Sequence, residues 1–239
     1  MDRAKTMTSK SITVIIPTLN EEESIGRTID EIPGREDMEI MIVDGLSTDR
    51  TREIASEKGA RVVEESRKGY GRAYKTGFKE AKGDIIVTMD GDTTYPAEMT
   101  LELVDMLERE NLDFISCDRI KKADKGAFTG THALGNWILK VTTNLLFGLH
   151  LTDSQTGMWV FRKNILKHLR ITSDGMPMSE EIKIEAFRNP KVKAKEVHVP
   201  YRVRLGDKAL NTWKDGIRNE IFLFKKRFNP RSLGPGEDF

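Results

Sequence analysis

Residues 11–17 carry the sequence Ser-Ile-Thr-Val-Ile-Ile-Pro, a run rich in β-branched side chains that ends at a proline. A short apolar run without polar alternation is typical of a strand that is buried on both faces. The same form recurs at residues 39–44, 60–64, 84–90 and 113–117. We therefore predict five buried strands in the first half of the chain.

Helical stretches lie between these strands, at residues 21–31, 49–58, 70–81 and 96–110. Strands that alternate with single helices indicate an α/β domain, with a Rossmann-like, doubly wound and mostly parallel sheet flanked by helices. In sheets of this kind, ligands bind beyond the carboxyl ends of the strands. Those ends are where we look for functional residues.

The regular alternation of strands and helices ends after residue 117. We predict helices at 131–148, 179–188 and 210–228, a short strand at 158–162 and an extended segment at 194–204. Because no repeat or linker separates this part, we treat residues 11–228 as a single domain, which is large enough to be a catalytic domain. It ends in an amphipathic helix at 209–228. Residues 1–10 form an N-terminal arm, and residues 229–239 are expected to be a loose tail.

Composition excludes several classes of protein. Charged residues make up 32% and hydrophobic residues 38%, which is typical of a globular chain. Lys and Arg number 39 against 38 Asp and Glu, so no overall field attracts nucleic acid, and we expect no such partner. The single cysteine, Cys117, excludes a disulfide framework. We expect neither a secretory signal nor a transmembrane helix, because no apolar run of about 18 residues exists.

Carboxylates follow three of the predicted strands. Asn20 and Glu21 come after the first, Asp44 ends the second, and Asp90 and Asp92 end the fourth. Carboxylates gathered at one edge repel one another unless a cation neutralises their charge. Mg²⁺ and Mn²⁺ suit this role because they prefer oxygen ligands. Asp-Gly-Asp is also common turn chemistry, and an isolated Asp44 would more often be a cap. The position of all three aspartates at strand ends favours a metal site.

The motifs in order resemble a known family. Residues 17–22, Asp44 with its following Ser47, and the Asp90-x-Asp92 motif resemble the nucleotide-sugar half of a family 2 glycosyltransferase with the GT-A fold. The second half resembles the dolichyl-phosphate mannosyltransferase and glucosyltransferase branch, through residues 135–136, 143–148, 153–157, 196–197 and 200–204. The resemblance divides the domain into a nucleotide-sugar half at 11–118 and an acceptor and sugar half at 119–208.

The resemblance implies an enzyme: a metal-dependent, inverting transferase that moves a hexose from a UDP- or GDP-sugar to dolichyl or another polyprenyl phosphate. It places Pro17, Leu19, Asn20, Glu21 and Asp44 in the nucleotide pocket. It assigns Mg²⁺ or Mn²⁺ to Asp90 and Asp92, the acceptor phosphate to Arg119, the sugar-side loop to Asp153 and Gln155, and the diphosphate to Arg202 and Arg204.

The nucleophile determines which further groups are needed. A lipid phosphate is already an anion, so its site needs a cation to position it rather than a base, and Arg119 is the candidate. A glycan hydroxyl would need a base, for which Glu181 or its neighbour Glu180 is the candidate. Glu181 could instead order the sugar pocket or cap its helix. A family 2 enzyme acting on a glycan hydroxyl and a non-catalytic nucleotide-sugar-binding relative therefore stay open.

The last helix suggests a membrane partner. Residues 202–231 contain nine basic residues against three acidic ones. Within them, Trp213, Ile217, Ile221, Phe224 and Phe228 recur at three- and four-residue steps, which forms one apolar stripe on a helix. Such a helix can lie in an anionic membrane interface, or its stripe can pack on the core. We expect a peripheral enzyme on the cytoplasmic face of the membrane.

Overall fold

A computed structural model describes residues 10–127, 130–205 and 212–239. The strands are β1 (Ile12–Thr18), β2 (Met38–Asp44), β3 (Arg61–Glu64), β4 (Ile85–Thr88), β5 (Phe114–Asp118), β6 (Trp159–Arg162) and β7 (Ala194–His198). The α-helices are α1 (Ile25–Glu31), α2 (Thr51–Glu57), α3 (Tyr70–Glu80), α4 (Thr100–Arg109), α5 (Gly130–Phe147), α6 (Met178–Arg188) and α7 (Thr212–Phe228). Short 3₁₀ turns cover Ala97–Met99, Lys163–His168 and Pro230–Leu233.

The strands form one sheet in the order β3-β2-β1-β4-β6-β5-β7. The pairs β1–β2, β1–β4, β2–β3 and β5–β7 are parallel, whereas β6 is antiparallel to both of its neighbours. The predicted mostly parallel, doubly wound sheet is therefore confirmed. The strand at Trp159–Arg162 lies near its predicted position, but its direction was not predicted.

Helices cover both faces of the sheet because β1 is apolar on both sides. Val14 and Ile16 face a cluster with α1 and α4, which includes Ile25 and Leu103. Ile15, between them, faces the opposite cluster with α3 and α6. This alternation is what a continuous apolar strand requires, since successive side chains point to opposite faces.

The register brings the predicted functional segments to one edge. Thr18 pairs with Asp44, so β1 and β2 end side by side, and Ile15 pairs with Thr88 on the other flank of β1. The predicted strand at 84–90 leaves the sheet after Thr88, which places the aspartates that follow in a loop. The predicted extended segment at 194–204 likewise leaves the sheet after His198.

Helices α5 and α7 pack against each other and against α6, beside the sheet. Leu139, Phe147, Ile184 and Leu223 form a separate small core there. The sequence predicted that the last helix begins at residue 209 or 210, and both residues lie outside the described ones. None of the helices that the structure describes combines the length and apolar character needed to span a bilayer.

The expectation of a loose tail at 229–239 is wrong. Glu237 pairs with Arg72 at 3.1 Å and with Lys79 at 2.6 Å, both on α3. The ring of Phe239 lies 5.8 Å from that of Phe78, centroid to centroid. The composition of the tail suggested disorder, but α3 presents a cationic and aromatic surface that gives these residues partners.

Candidate active site

The end of β2 is locked to the end of β1 through Asp44. This carboxylate is buried and accepts hydrogen bonds from Thr18 Oγ1 at 2.9 Å, from Ser47 N at 2.8 Å and from Ser47 Oγ at 2.6 Å. Asp44 therefore shapes the two loops that leave β1 and β2. The structure places it at the sheet edge predicted for the nucleotide pocket.

The loop after β1 is bonded to the loop after β2. Asn20 has a left-handed backbone, φ 57°, which Asn tolerates better than most residues. Its Oδ1 accepts from Thr48 N at 2.8 Å, and its own N donates to Ser47 Oγ at 2.9 Å. Pro17 lies in β1, and Leu19, the first residue after the strand, is about half exposed beside Gly45. Leu19 and Asn20 are therefore both exposed at the ends of β1 and β2, where the nucleotide pocket was predicted.

The loop after β4 holds Asp92 in a strained turn. Asp92 Oδ1 accepts from Thr94 N at 3.1 Å and from Thr94 Oγ1 at 2.6 Å. Thr93 between them has φ 65°, an uncommon conformation for a β-branched residue. One carboxylate oxygen of Asp92 is therefore engaged in hydrogen bonds within the turn. Strain of this kind is found where the surroundings fix the chain, often at functional sites.

Asp90 is partly buried and accepts a hydrogen bond from Tyr70 Oη at 3.3 Å. Burial and the adjacent charge of Asp92 raise the pKa of the Asp90 carboxyl to about 7, although Arg119 and Arg204 oppose the shift. A cation bound between the two aspartates would remove this penalty. Sequence reasoning missed Tyr70, whose only signal was its place between two glycines at the start of α3.

Gly157 lets the loop 153–157 approach Asp90 closely. A Cβ at this position would lie 2.3 Å from Tyr70 Oη and 3.3 Å from Asp90 Oδ1. No side chain fits that space without displacing a neighbour. The absence of a side chain thus brings the predicted sugar-side loop against the predicted metal site.

Arg204 is the cation nearest to the second aspartate. Its Nη1 lies 2.7 Å from Asp92 Oδ2, and its Nη2 lies 2.5 Å from Glu21 Oε1. Burial raises the pKa of Glu21, an effect that Arg204 partly offsets. The structure therefore joins Glu21, which was predicted for the nucleotide pocket, to the predicted metal site through one guanidinium.

Arg202 does not join that group. Its guanidinium pairs with Glu31 Oε2 at 2.7 Å and with Glu98, on α1 and on the 3₁₀ turn before α4. The prediction that Arg202 and Arg204 share one role is corrected here. They are two residues apart on an extended segment, but only Arg204 reaches the aspartates.

Arg119 and Asp153, which were predicted for separate roles, form one buried ion pair. Arg119 Nε lies 2.7 Å from Asp153 Oδ2, and Nη2 lies 3.0 Å from Oδ1. The guanidinium also stands 5.1 Å from the ring centroid of Tyr201. Burial alone would raise the pKa of Asp153, but Arg119 outweighs it and holds the pKa at about 2. The pair fixes the orientation of the guanidinium.

The loop after Asp153 is held from three sides. Glu196 accepts from Thr152 N at 2.7 Å and from Asp153 N at 3.2 Å. Gln155 donates to Glu180 Oε1 on α6 and accepts from Asn219 Nδ2 on α7 at 3.1 Å. Gln155 therefore connects the predicted sugar-side loop to both helices.

Glu181 is held in a network of structural contacts. Its buried carboxylate accepts from Thr172 N and Ser173 N, both at 2.8 Å, and pairs with Lys226 Nζ at 2.9 Å. These bonds engage both oxygens and support the ordering role that the sequence also left open for Glu181, whereas its role as a base stays a prediction. Glu180 is the better candidate: its Oε2 has no hydrogen-bond partner among the described residues, and burial raises its pKa to about 8.

The donor set of the corner suits a hard divalent cation. Asp90 and Asp92 offer carboxylate oxygens, which Mg²⁺ and Mn²⁺ prefer. Within residues 10–127, 130–205 and 212–239, no group of three or more His, Cys, Asp or Glu side chains could hold a metal ion. A cation at this corner would thus take its remaining ligands from water or from a ligand such as a diphosphate.

An open α/β sheet with acidic loops at its strand ends and guanidinium groups beside them is the arrangement of a nucleotide-sugar transferase. Residues 13–170 match the family model Glycosyl transferase family 2, and the chain belongs to that family. The match confirms the family that the sequence predicted.

Relatives in archaea support the same branch. A low-salt glycan biosynthesis hexosyltransferase of Haloferax volcanii is 34% identical over 89% of this chain and 53% of its own length. The chain therefore spans about half the length of that relative. A dolichyl-phosphate hexose transferase of the same organism is 32% identical, over 87% of this chain and 90% of its own.

Solved structures support the fold. The glucosyl-3-phosphoglycerate synthase of Mycobacterium tuberculosis, in complex with Mn²⁺, UDP and glucosyl-3-phosphoglycerate, has a TM-score of 0.73 to this chain. The two are 23% identical, and the match covers 92% of this chain and 80% of that one. This likeness confirms the predicted GT-A fold.

Proposed function

We propose that this chain transfers a hexose from a UDP- or GDP-sugar to a polyprenyl phosphate such as dolichyl phosphate. The observation that carries the proposal is the grouping of Asp90, Asp92 and Glu21 with Arg204 at the strand ends, next to the buried Arg119. The archaeal relatives named as dolichyl-phosphate hexose transferase and as UDP-N-acetylglucosamine–dolichyl-phosphate N-acetylglucosaminyltransferase support this acceptor.

Departure of the nucleoside diphosphate is the first chemical demand. The leaving group carries concentrated negative charge, which positive groups must stabilise as it develops. Asp90 and Asp92 would hold Mg²⁺ or Mn²⁺, which supplies Lewis-acid stabilisation of the diphosphate when bound. Arg204 lies beside Asp92 and contributes a forked guanidinium, whose geometry matches phosphate oxygens.

The attacking group is the second demand. A phosphate monoester needs no base, so a fixed cation that orients it is sufficient. Arg119 fits this role because Asp153 holds its guanidinium in one orientation beside Tyr201.

A second candidate function rests on Glu180. One of its oxygens has no partner among the described side chains, and its raised pKa of about 8 would suit proton transfer near neutral pH. If the acceptor were a glycan hydroxyl, Glu180 would serve as the base. The two functions differ in whether the acceptor must carry a phosphate.

A membrane surface is the proposed location of the acceptor. Helix α7 buries Phe222 and Leu223, and leaves its apolar stripe 50–70% exposed at Ile217, Ile221, Phe224 and Phe228. This exposure supports an apolar stripe that faces solvent rather than the core. The side chain of Trp213 lies outside the described ones.

Further basic and apolar side chains are exposed on α7 and on α5, which packs against it. Lys225 and Arg227 are exposed on α7, and α5 adds exposed Trp137 and Leu145. Exposed apolar residues flanked by cations are typical of helices that lie in an anionic interface. We propose peripheral attachment to the cytoplasmic face of the membrane through this surface.

An acceptor panel tests the proposed reaction. Purified protein is incubated with UDP- and GDP-hexoses, Mg²⁺ or Mn²⁺, and either a short polyprenyl phosphate or the matching polyprenol, and nucleotide release is measured. We expect release that depends on the phosphate-bearing lipid and survives Glu180→Gln. Release with the polyprenol and its loss in Glu180→Gln would support the hydroxyl acceptor instead. No lipid-dependent release with any donor would contradict the proposed reaction.

A further inference from the structure

The guanidinium of Arg204 donates a hydrogen bond to a carboxylate oxygen of Asp92 that is available to a metal ion. Its Nη1 is 2.7 Å from Asp92 Oδ2, while Asp92 Oδ1 is already engaged by Thr94. The second arm, Nη2, is 2.5 Å from Glu21 Oε1. One side chain thus neutralises two carboxylates at the mouth of the site when no ligand is bound.

A divalent cation and this guanidinium compete for Asp92 Oδ2. Both are positive, and at hydrogen-bond distance from one oxygen they would repel each other strongly in a partly buried site. Arg204 is only 21% exposed, so its charge is not left to solvent. A metal that takes this oxygen therefore weakens the pairing of Arg204 with Asp92.

The backbone around Arg204 is tied to the metal loop. Arg202 N donates to Thr94 O at 2.9 Å, and Leu205 N donates to Asp92 O at 3.3 Å. These bonds flank Arg204 on both sides, so the exchange requires only a turn of its side chain. A diphosphate bound on the metal would lie beside this point and would give the displaced guanidinium a new, bidentate partner.

We propose that Arg204 is a built-in counterion that holds Asp92 until the cation and the donor diphosphate bind together. The inference rests on the proposed function and deepens it. Its consequence is thermodynamic coupling between the two ligands. The cation alone binds weakly because it competes with Arg204 for Asp92 without compensation. The cation with a nucleotide binds tightly because the diphosphate takes over that guanidinium.

The coupling is measured by titrating the protein with Mn²⁺ and following free Mn²⁺ by electron paramagnetic resonance, without nucleotide and with saturating UDP or GDP. For the wild type we expect nucleotide to tighten Mn²⁺ binding at least tenfold. In Arg204→Gln, Mn²⁺ alone should bind at least threefold more tightly than in the wild type, and the enhancement by nucleotide should fall below threefold.

Two further variants make the result specific. Arg204→Lys keeps the positive charge on Asp92 but lacks the fork, so Mn²⁺ alone should bind as in the wild type while the nucleotide enhancement shrinks. Arg202→Gln is the matched control, because this arginine pairs with Glu31 and Glu98 instead. It should leave both Mn²⁺ affinities unchanged. Thermal unfolding of each variant confirms that the fold is kept.

The outcomes separate this inference from the proposed function. Equal Mn²⁺ affinity and equal nucleotide enhancement in Arg204→Gln and the wild type would overturn the role of Arg204 while leaving the proposed function intact. A similar change in Arg202→Gln would show a general charge effect and would also overturn it. Failure of the wild type to bind Mn²⁺ with either nucleotide would overturn the proposed function together with the inference.

Discussion

Replacing Gly157 by alanine tests whether the loop 153–157 and the metal site form one packed unit. The new Cβ would lie 2.3 Å from Tyr70 Oη, whereas an ordinary contact needs about 3.5 Å. The Tyr70 ring is packed edge-on against Tyr74 at 4.9 Å between centroids, so it cannot simply turn away. The loop or the tyrosine must therefore move by about 1 Å.

The expected cost follows from that displacement. Overpacking of this kind typically destabilises a protein by about 1–3 kcal/mol. For a chain of this size, each kcal/mol lowers the melting temperature by about 2–4 °C, which gives a decrease of about 2–12 °C. Because Asp90 Oδ1 lies 3.3 Å from the same Cβ, a shift of about 1 Å would also misplace the metal ligand and reduce the transfer rate by about a hundredfold.

Thermal unfolding and lipid-dependent nucleotide release measure both effects. Gly34→Ala is the matched control, because nothing lies within 4 Å of a Cβ at that position. The double variant Gly157→Ala/Tyr70→Phe removes the clashing hydroxyl and should recover part of the lost melting temperature. If Gly157→Ala unfolds and turns over like Gly34→Ala, the close packing of the loop on Asp90 is refuted.

Three further predictions concern single side chains. Asp92→Asn should abolish transfer and keep the melting temperature within a few degrees; an unchanged rate at saturating Mg²⁺ would contradict its role. Arg119→Lys keeps the buried charge but loses the fork, so it should raise the KM for the lipid phosphate about tenfold with little change for the donor; equal changes in both, measured in the release assay, would show a different role. Hydrogen bonds from Arg72 and Lys79 lower the pKa of Glu237 from 4.5 to about 2, so its stabilisation is present above pH 4.5 and is lost as the pH falls towards 2. Glu237→Gln should therefore melt below the wild type at pH 7, with a gap that narrows below about pH 4 in a thermal-unfolding series; a constant gap would show that the charge of Glu237 is not the cause.

The part of the site that lies at strand ends could be predicted from the sequence. β1, β2 and β4 are continuous apolar runs, and parallel strands bring their carboxyl ends to one edge, so Asp44, Asp90 and the loop after β1 had to meet there. The family resemblance added roles for residues that periodicity alone does not interpret. The exposed stripe of α7 was visible as a pattern, but whether it faced the core or solvent depended on how α5 and α7 pack.

Contacts made across the fold could not be predicted. The direction of β6 follows from its place between β4 and β5, which a four-residue apolar run does not encode. The choice between Glu180 and Glu181 depends on which face of α6 meets the loop at Thr172, and one residue turns the side chain by about 100° on a helix. Arg202 and Arg204 are two residues apart in an extended segment, so the sequence does not distinguish them. Their partners do: Arg202 pairs with Glu31 on α1, and Arg204 pairs with Asp92 in the loop after β4.

The central claim is that two neighbouring aspartates hold the cation on which the donor diphosphate leaves. The most direct measurement is anomalous scattering from crystals grown with Mn²⁺ and UDP or GDP. The account predicts one manganese peak in contact with the carboxylates of Asp90 and Asp92, with the diphosphate bound to it near Arg204. A nucleotide bound elsewhere, or a manganese peak away from these two carboxylates, would contradict it.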